Sequence, residues 1–134
     1  MIELEQFAMA GKAVFTLVSK RTGARFTFKV RKYEDKPVAF VSLLSGPDNT
    51  ADYQYLGCIS AEGLRYFHGK KSRIGTDAPS AKAFAWTWAH RADPEAANVE
   101  VHHEGRCCRC GRALTVPESI ESGVGPECRQ KMGF

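Results

Sequence analysis

Three features of the sequence predict an α+β fold: a small antiparallel β-sheet or partly open barrel with one packed helix, plus a C-terminal zinc-knuckle module. Between Ala13 and Ile59, apolar and polar residues follow strand patterns broken by turn residues. Residues 80–92 switch to helical spacing. Residues 102–128 hold four of the five cysteines and two of the four histidines. A chain of 134 residues suits one domain, or a small domain with an appendage. The expected division is a β-rich domain over 1–97 and a zinc-binding module over 98–134 packed on it.

"AVFTLVS" (13–19) and "ARFTFKVR" (24–31) flank "KRTG", a tight connection closed by Gly23, and read as a hairpin. In the second strand Phe26, Phe28 and Val30 point to one face, and Arg25, Thr27, Lys29 and Arg31 to the other. "VAFVSLL" (38–44) is apolar on both faces, as a central strand is, and the turn residues "SGPDNT" follow it. "YQYLGCI" (53–59) is a fourth strand and "GLRYFHG" a candidate fifth. "GKKSRIGTDAP" (69–79) lacks apolar periodicity and reads as an exposed loop.

Ser80 is the expected cap of the helix "SAKAFAWTWAHRA", with Ala81, Phe84, Ala85 and Trp88 on the stripe that faces the sheet. Asp93-Pro94 ends it. Trp86 and His90 fall on the opposite side, where the C-terminal module is expected to cover them, the alternative being an exposed aromatic platform for a base or a partner. "NVEVHH" (98–103) reads as a strand whose face carries Val99, Val101 and His103.

Cys107 and Cys110 have the two-residue spacing that lets two thiolates reach one tetrahedral ion, and Gly111 supplies the left-handed turn that closes such a knuckle. Cys108 is then a bystander, since a vicinal disulfide with Cys107 is strained. Cys128 is the third ligand, placed near a helix start that should lower its pKa. His103, four residues before Cys107, is the preferred fourth, with Cys58 and then His102 as competitors. Thr115 and Glu118 have the form of a capping box, so "PESIES" should be a short helix ended by Gly123. Three sulfurs and one nitrogen suit Zn²⁺. Four protein ligands leave no position for water, so the zinc is expected to be structural and to contribute on the order of 10 kcal/mol to folding. Arg106, Arg109 and Arg112 are placed to offset the thiolate charge.

The segment "HEGRCCRCGRALTVPESIESGVGPEC" resembles a zinc-binding domain of unknown function found in short bacteriophage and actinobacterial proteins, of the form His-x-x-x-Cys-x-x-Cys-Gly-Arg-x-Leu, a Pro-Glu-Ser segment, then Gly-x-Gly-Pro-x-Cys. The resemblance covers about the last 32 residues and implies ligands at His103, Cys107, Cys110 and Cys128. It departs at Cys108, where small residues are more usual. The upstream half is similar, more loosely, to the N-terminal part of short phage proteins with the same tail, which implies a phage setting without implying an activity.

Charge is unevenly spread. Residues 12–36 carry eight Lys or Arg against two acids and residues 63–92 six against one, while 37–62 and 93–105 are acidic. Such blocks point to a polyanion. Arg25, Lys29 and Arg31 on a sheet face, and Lys70, Lys71 and Arg73 in a loop, with Tyr53, Tyr55, Tyr66 and Phe67 nearby, suit nucleic acid, single strands above all. The alternative is a protein-binding inhibitor of a host enzyme or defence complex, a counter-defence factor whose target can itself be a nucleoprotein complex. There is no His-Glu-x-x-His, no phosphate-cradling Gly-rich loop and no Ser-His-Asp set, so catalysis is not expected. No small-molecule substrate is indicated. A composition 43% apolar and 25% charged argues against both disorder and a membrane span. "MIELEQFAMAGK" lacks the basic start and apolar run of an export signal, and the cysteine usage suits a reducing compartment, so a cytoplasmic location is expected, that of the host cell if the chain is phage-encoded.

Overall fold

The computed structural model describes residues 3–48, 51–115 and 117–133. Strands β1 (Lys12–Ser19), β2 (Arg25–Lys32), β3 (Val38–Leu44), β4 (Tyr53–Ser60), β5 (Tyr66–His68) and β6 (Val99–His103) form one sheet in the order β5-β4-β3-β2-β1-β6. All its pairings are antiparallel. The sheet is open, with β5 and β6 as its edges. β6 lies within the stretch expected to form the module, yet it pairs with β1 and completes the sheet.

Alternation decides which face is buried. Ala13, Phe15 and Leu17 of β1 lie opposite Val30, Phe28 and Phe26 of β2, and Val41 lies opposite Val30. These side chains share the face covered by helix α2 (Pro79–Ala89) and the short helix α1 (Leu4–Ala8). Phe84 of α2 packs between Phe28, edge-on at 5.0 Å between centroids, and Tyr66, tilted at 4.9 Å. Each fully buried aromatic of this kind contributes about 1.5–3 kcal/mol. Arg91 ties the end of α2 to α1 through a 2.8 Å ion pair with Glu5 and lies over the Trp88 ring.

α2 differs from expectation at three points. It begins at Pro79 with Ala78 before it, so Ser80 is a buried residue of the first turn and not the cap; proline suits the first helical position because its missing N–H would have no partner there. Its buried residues are Ser80, Ala81, Phe84, Thr87 and Trp88, so the stripe is rotated toward Thr87 and leaves Ala85 exposed. Trp86 is 53% exposed and stacks on His90 at 4.1 Å, while its Nε1 donates to the carbonyl of Ala97. The C-terminal module does not cover them, because it packs at the other end of β1, where Lys12 N–H donates to the Cys108 carbonyl.

No helix among the described residues is long and apolar enough to cross a membrane.

Candidate metal centre

After β6 the chain makes a narrow knuckle. Cys107 N–H donates to the Arg112 carbonyl and Gly111 N–H returns to the Cys107 carbonyl, with Arg106 bridged to Ala113. Gly111 has φ +80°, the left-handed turn the spacing predicted. Helix α3 (Pro117–Ser122) opens on proline and stops at Gly123, as expected. The position before Pro117 lies outside the described residues, so the cap inferred from Thr115 and Glu118 is not described. Gly123, at φ +82°, lies against Phe7 so closely that a Cβ would come within 2.6 Å of the ring. A tight Gly123-Val124-Gly125 link then leads into helix α4 (Pro126–Lys131), whose third residue is Cys128.

This path brings Cys107, Cys110 and Cys128 together, with their three sulfurs within 4.8 Å of one another. In a tetrahedral ZnS₃ unit the sulfurs would stand about 3.8 Å apart, so a closure of no more than about 1 Å admits the ion. The surroundings of Cys107 favour thiolate. Burial pushes the Cys107 thiol up, but N–H groups of Gly125, Cys110 and Arg109 directed at its sulfur outweigh burial and bring it down to about 7. The Arg109 side chain donates to Cys128 Sγ at 3.5 Å. Of the three expected arginines it alone contacts a ligand sulfur, whereas Arg106 donates to the Gly111 carbonyl and Arg112 is exposed.

Cys128 departs from expectation. Its thiol is raised, first by burial and then by the neighbouring sulfurs, against the lowering effect of Arg109. A six-residue helix that buries its thiol gives less electrostatic help than burial costs. Cys108 is wholly buried in the core, and burial together with the Cys107 charge pushes it up to about 12, so it stays a protonated thiol. All five cysteines are free of disulfides.

The histidines are placed differently from the thiols. His103 is on the core face, opposite Phe15, but outside the three-sulfur group. Its Nδ1 accepts from Gly105 N–H at 2.9 Å, so its Nε2 carries the proton donated to the Ile120 carbonyl and links β6 to α3. His102 points to the other face and pairs with Glu100 at 3.7 Å. Cys58 sits on that other face too, between Phe40 and Phe67, well apart from the knuckle.

Among the described residues α1 and α2 pack on the core face and no helix is seen across the opposite one, whose residues the register arranges in rows. One row runs Phe67, Cys58, Phe40, Arg31, Lys12; the next Tyr55, Ser42, Lys29, Val14; beyond these, Tyr53 pairs with Leu44 on one side and Thr27, Thr16 and His102 line up on the other. Rings thus occupy the β4–β5 half and cations the β1–β2 half. Tyr33, Phe40 and Tyr55 form a chain of rings 6.2 and 6.5 Å apart. The basic loop is fastened beside Tyr55: Ser72 Oγ donates to the Tyr55 carbonyl, leaving Lys70, Lys71 and Arg73 exposed. Tyr66, by contrast, belongs to the core face, against Phe84. Arg25 lies one row further on, opposite Val18. Two residues of this surface escaped the sequence reading: Phe40, hidden in an apolar run, and Lys12, before the first strand.

No curated protein and no solved structure matches the chain. Residues 97–133, which contain edge strand β6 and the three-cysteine cluster, match the model of DUF6011, a family of unknown function; the cluster itself makes this segment a candidate metal-binding one.

Proposed function

We propose that the protein is a non-enzymatic zinc-binding protein that holds single-stranded nucleic acid across the open face of its sheet. The observation that carries this reading is the pairing, on one uncovered face, of a cationic half (Arg25, Lys29, Arg31) with a half bearing exposed rings at Tyr55 and Phe67 and the basic loop at its side. Cations follow phosphates while rings accept bases of any identity, and base–ring stacking contributes about 1–3 kcal/mol per base. Binding of a fluorescent oligonucleotide should weaken linearly in log affinity against log salt concentration. Phe67→Ala and Lys29→Ala should each reduce it, with the salt slope falling only in the second. Binding that ignores salt, or that neither substitution changes, would overturn the reading.

The ion in this proposal is Zn²⁺, held by Cys107, Cys110 and Cys128, with His103 completing the shell by giving up one of its present hydrogen bonds. Zinc here supplies folding energy and a fixed knuckle. X-ray absorption of the purified protein should give three sulfurs and one nitrogen; three sulfurs and an oxygen would remove His103 from the set and reopen the question of catalysis.

A second reading, a protein-binding factor, is favoured by the exposed Trp86. It borders an apolar groove of about 650 Å³ between α2 and the β1–β2 hairpin, with Thr87 Oγ1 buried there without a partner. A stoichiometric partner retained after nuclease treatment, and lost in Trp86→Ala, would establish it in place of the first.

A further inference from the structure

Where the open face meets the knuckle there is a cleft of about 560 Å³, within the size range of ligand sites. Its floor is β1 and β2, its far side is Tyr53, and the knuckle closes it with Arg106, Cys110 and Gly111. Four cations line it, Lys12, Lys29, Arg31 and Arg106, against one carboxylate, Glu104. That carboxylate accepts from Thr16 Oγ1 at 3.0 Å, and Thr16 in turn shares a 2.6 Å hydrogen bond with Thr27. None of the four cations makes an ion pair among the described residues. Arg31 Nε is buried without a hydrogen-bond partner, and the Lys29 ammonium lies 4.3 Å over the Tyr53 ring. Like charges gathered around a concavity and left unpaired form a ready anion site.

We infer that this cleft binds a terminal phosphate of the strand held on the open face. The inference rests on the nucleic-acid reading above and names the part of the strand recognised. Two observations select a strand end. The surplus of three positive charges exceeds what one singly charged phosphodiester neutralises and suits a dianionic monoester, whose oxygens can accept from guanidinium groups in pairs. The knuckle also stands at the Lys12 end of the cationic row, where Gly111 lies beside the Lys12 side chain, so a strand laid from the aromatic half toward the cations runs up against it.

The test compares oligonucleotides of one sequence bearing a 5′-phosphate, a 3′-phosphate or neither, with a nucleoside monophosphate as competitor. One phosphorylated end should bind about tenfold tighter than the unphosphorylated strand, the worth of a charge-assisted contact. Arg106→Ala and Lys12→Ala, each checked for zinc content and circular dichroism, should abolish that preference, while Lys20→Ala on the distant hairpin should preserve it. Salt-dependent binding of all three strands with equal affinity would overturn the inference and leave the nucleic-acid reading intact. No binding by any strand would overturn both. A mononucleotide that binds as tightly as the phosphorylated strand would assign the phosphoryl site to free nucleotide and overturn the strand end. A preference that persists in both variants would place the phosphate elsewhere.

Discussion

In the sheet and its helices the bulk of the buried volume is hydrocarbon: Phe7, Phe15, Phe28, Phe84, Leu56, Ile59, Val30 and Val41 are all at or near zero exposure. Among the described residues after 103 the buried set is Cys107, Cys108, Ser119, Ser122, Val124 and Cys128, with one aliphatic side chain, and Ile120 stands 45% exposed. The first region excludes enough apolar surface to hold itself. The second has two six-residue helices, too short to be stable alone, and little to bury. On the metal-binding reading proposed above, the contrast teaches that the cysteines replace a core: thiols tied to one ion would cross-link a segment that has little to bury.

The sharpest way to break this comparison is to remove a ligand. Cys110→Ala should abolish metal binding and unfold residues 104–133, a loss on the order of 10 kcal/mol to the module, with the sheet signals retained in hydrogen exchange. Simultaneous collapse of the sheet would show that the two regions are one cooperative unit. Phe28→Ala acts in the opposite region and should cost about 3–5 kcal/mol in denaturant unfolding while metal stoichiometry stays at one.

A pH titration sharpens the metal side. Cys107 is held down at about 7, so above that pH it meets the metal as a thiolate, and below it one more proton must be displaced. Metal affinity should therefore fall as pH falls, and below about 7 the decline should steepen by about tenfold per pH unit, readable from cobalt–thiolate absorption in the Co²⁺-substituted protein. A decline whose slope is unchanged across pH 7 would show that the N–H groups around Cys107 do not set its ionisation. The smallest effect belongs to Cys108→Ala. It should keep one equivalent of metal and cost about 1 kcal/mol for the void left in the core. Metal loss equal to that of Cys110→Ala would assign the knuckle wrongly.

The hairpin, the central strand and the fourth strand were legible from alternation, since Phe28 and Val30 against Lys29 and Arg31 admit one orientation in a sheet with one covered face. The knuckle was legible from Cys107, Cys110 and Gly111, because that loop chemistry is local in sequence. The rotation of α2 was not: Ala85 and Thr87 both fit a helical period, and only the position of the sheet beneath chose between them. Nor was the fate of Trp86, which depends on where a distant segment docks.

The sequence by itself determined the strands, most of their inward and outward faces and the Cys107–Cys110 knuckle, all consequences of periods and spacings within a few residues. Tertiary structure alone decided that β6 joins β1, that His103 donates to Ile120 outside the sulfur cluster, and that Lys12 and Arg106, 94 positions apart, line one cleft. The physical reason is range. Local conformation follows neighbouring residues, whereas a shared site follows from which surfaces the closed chain brings together.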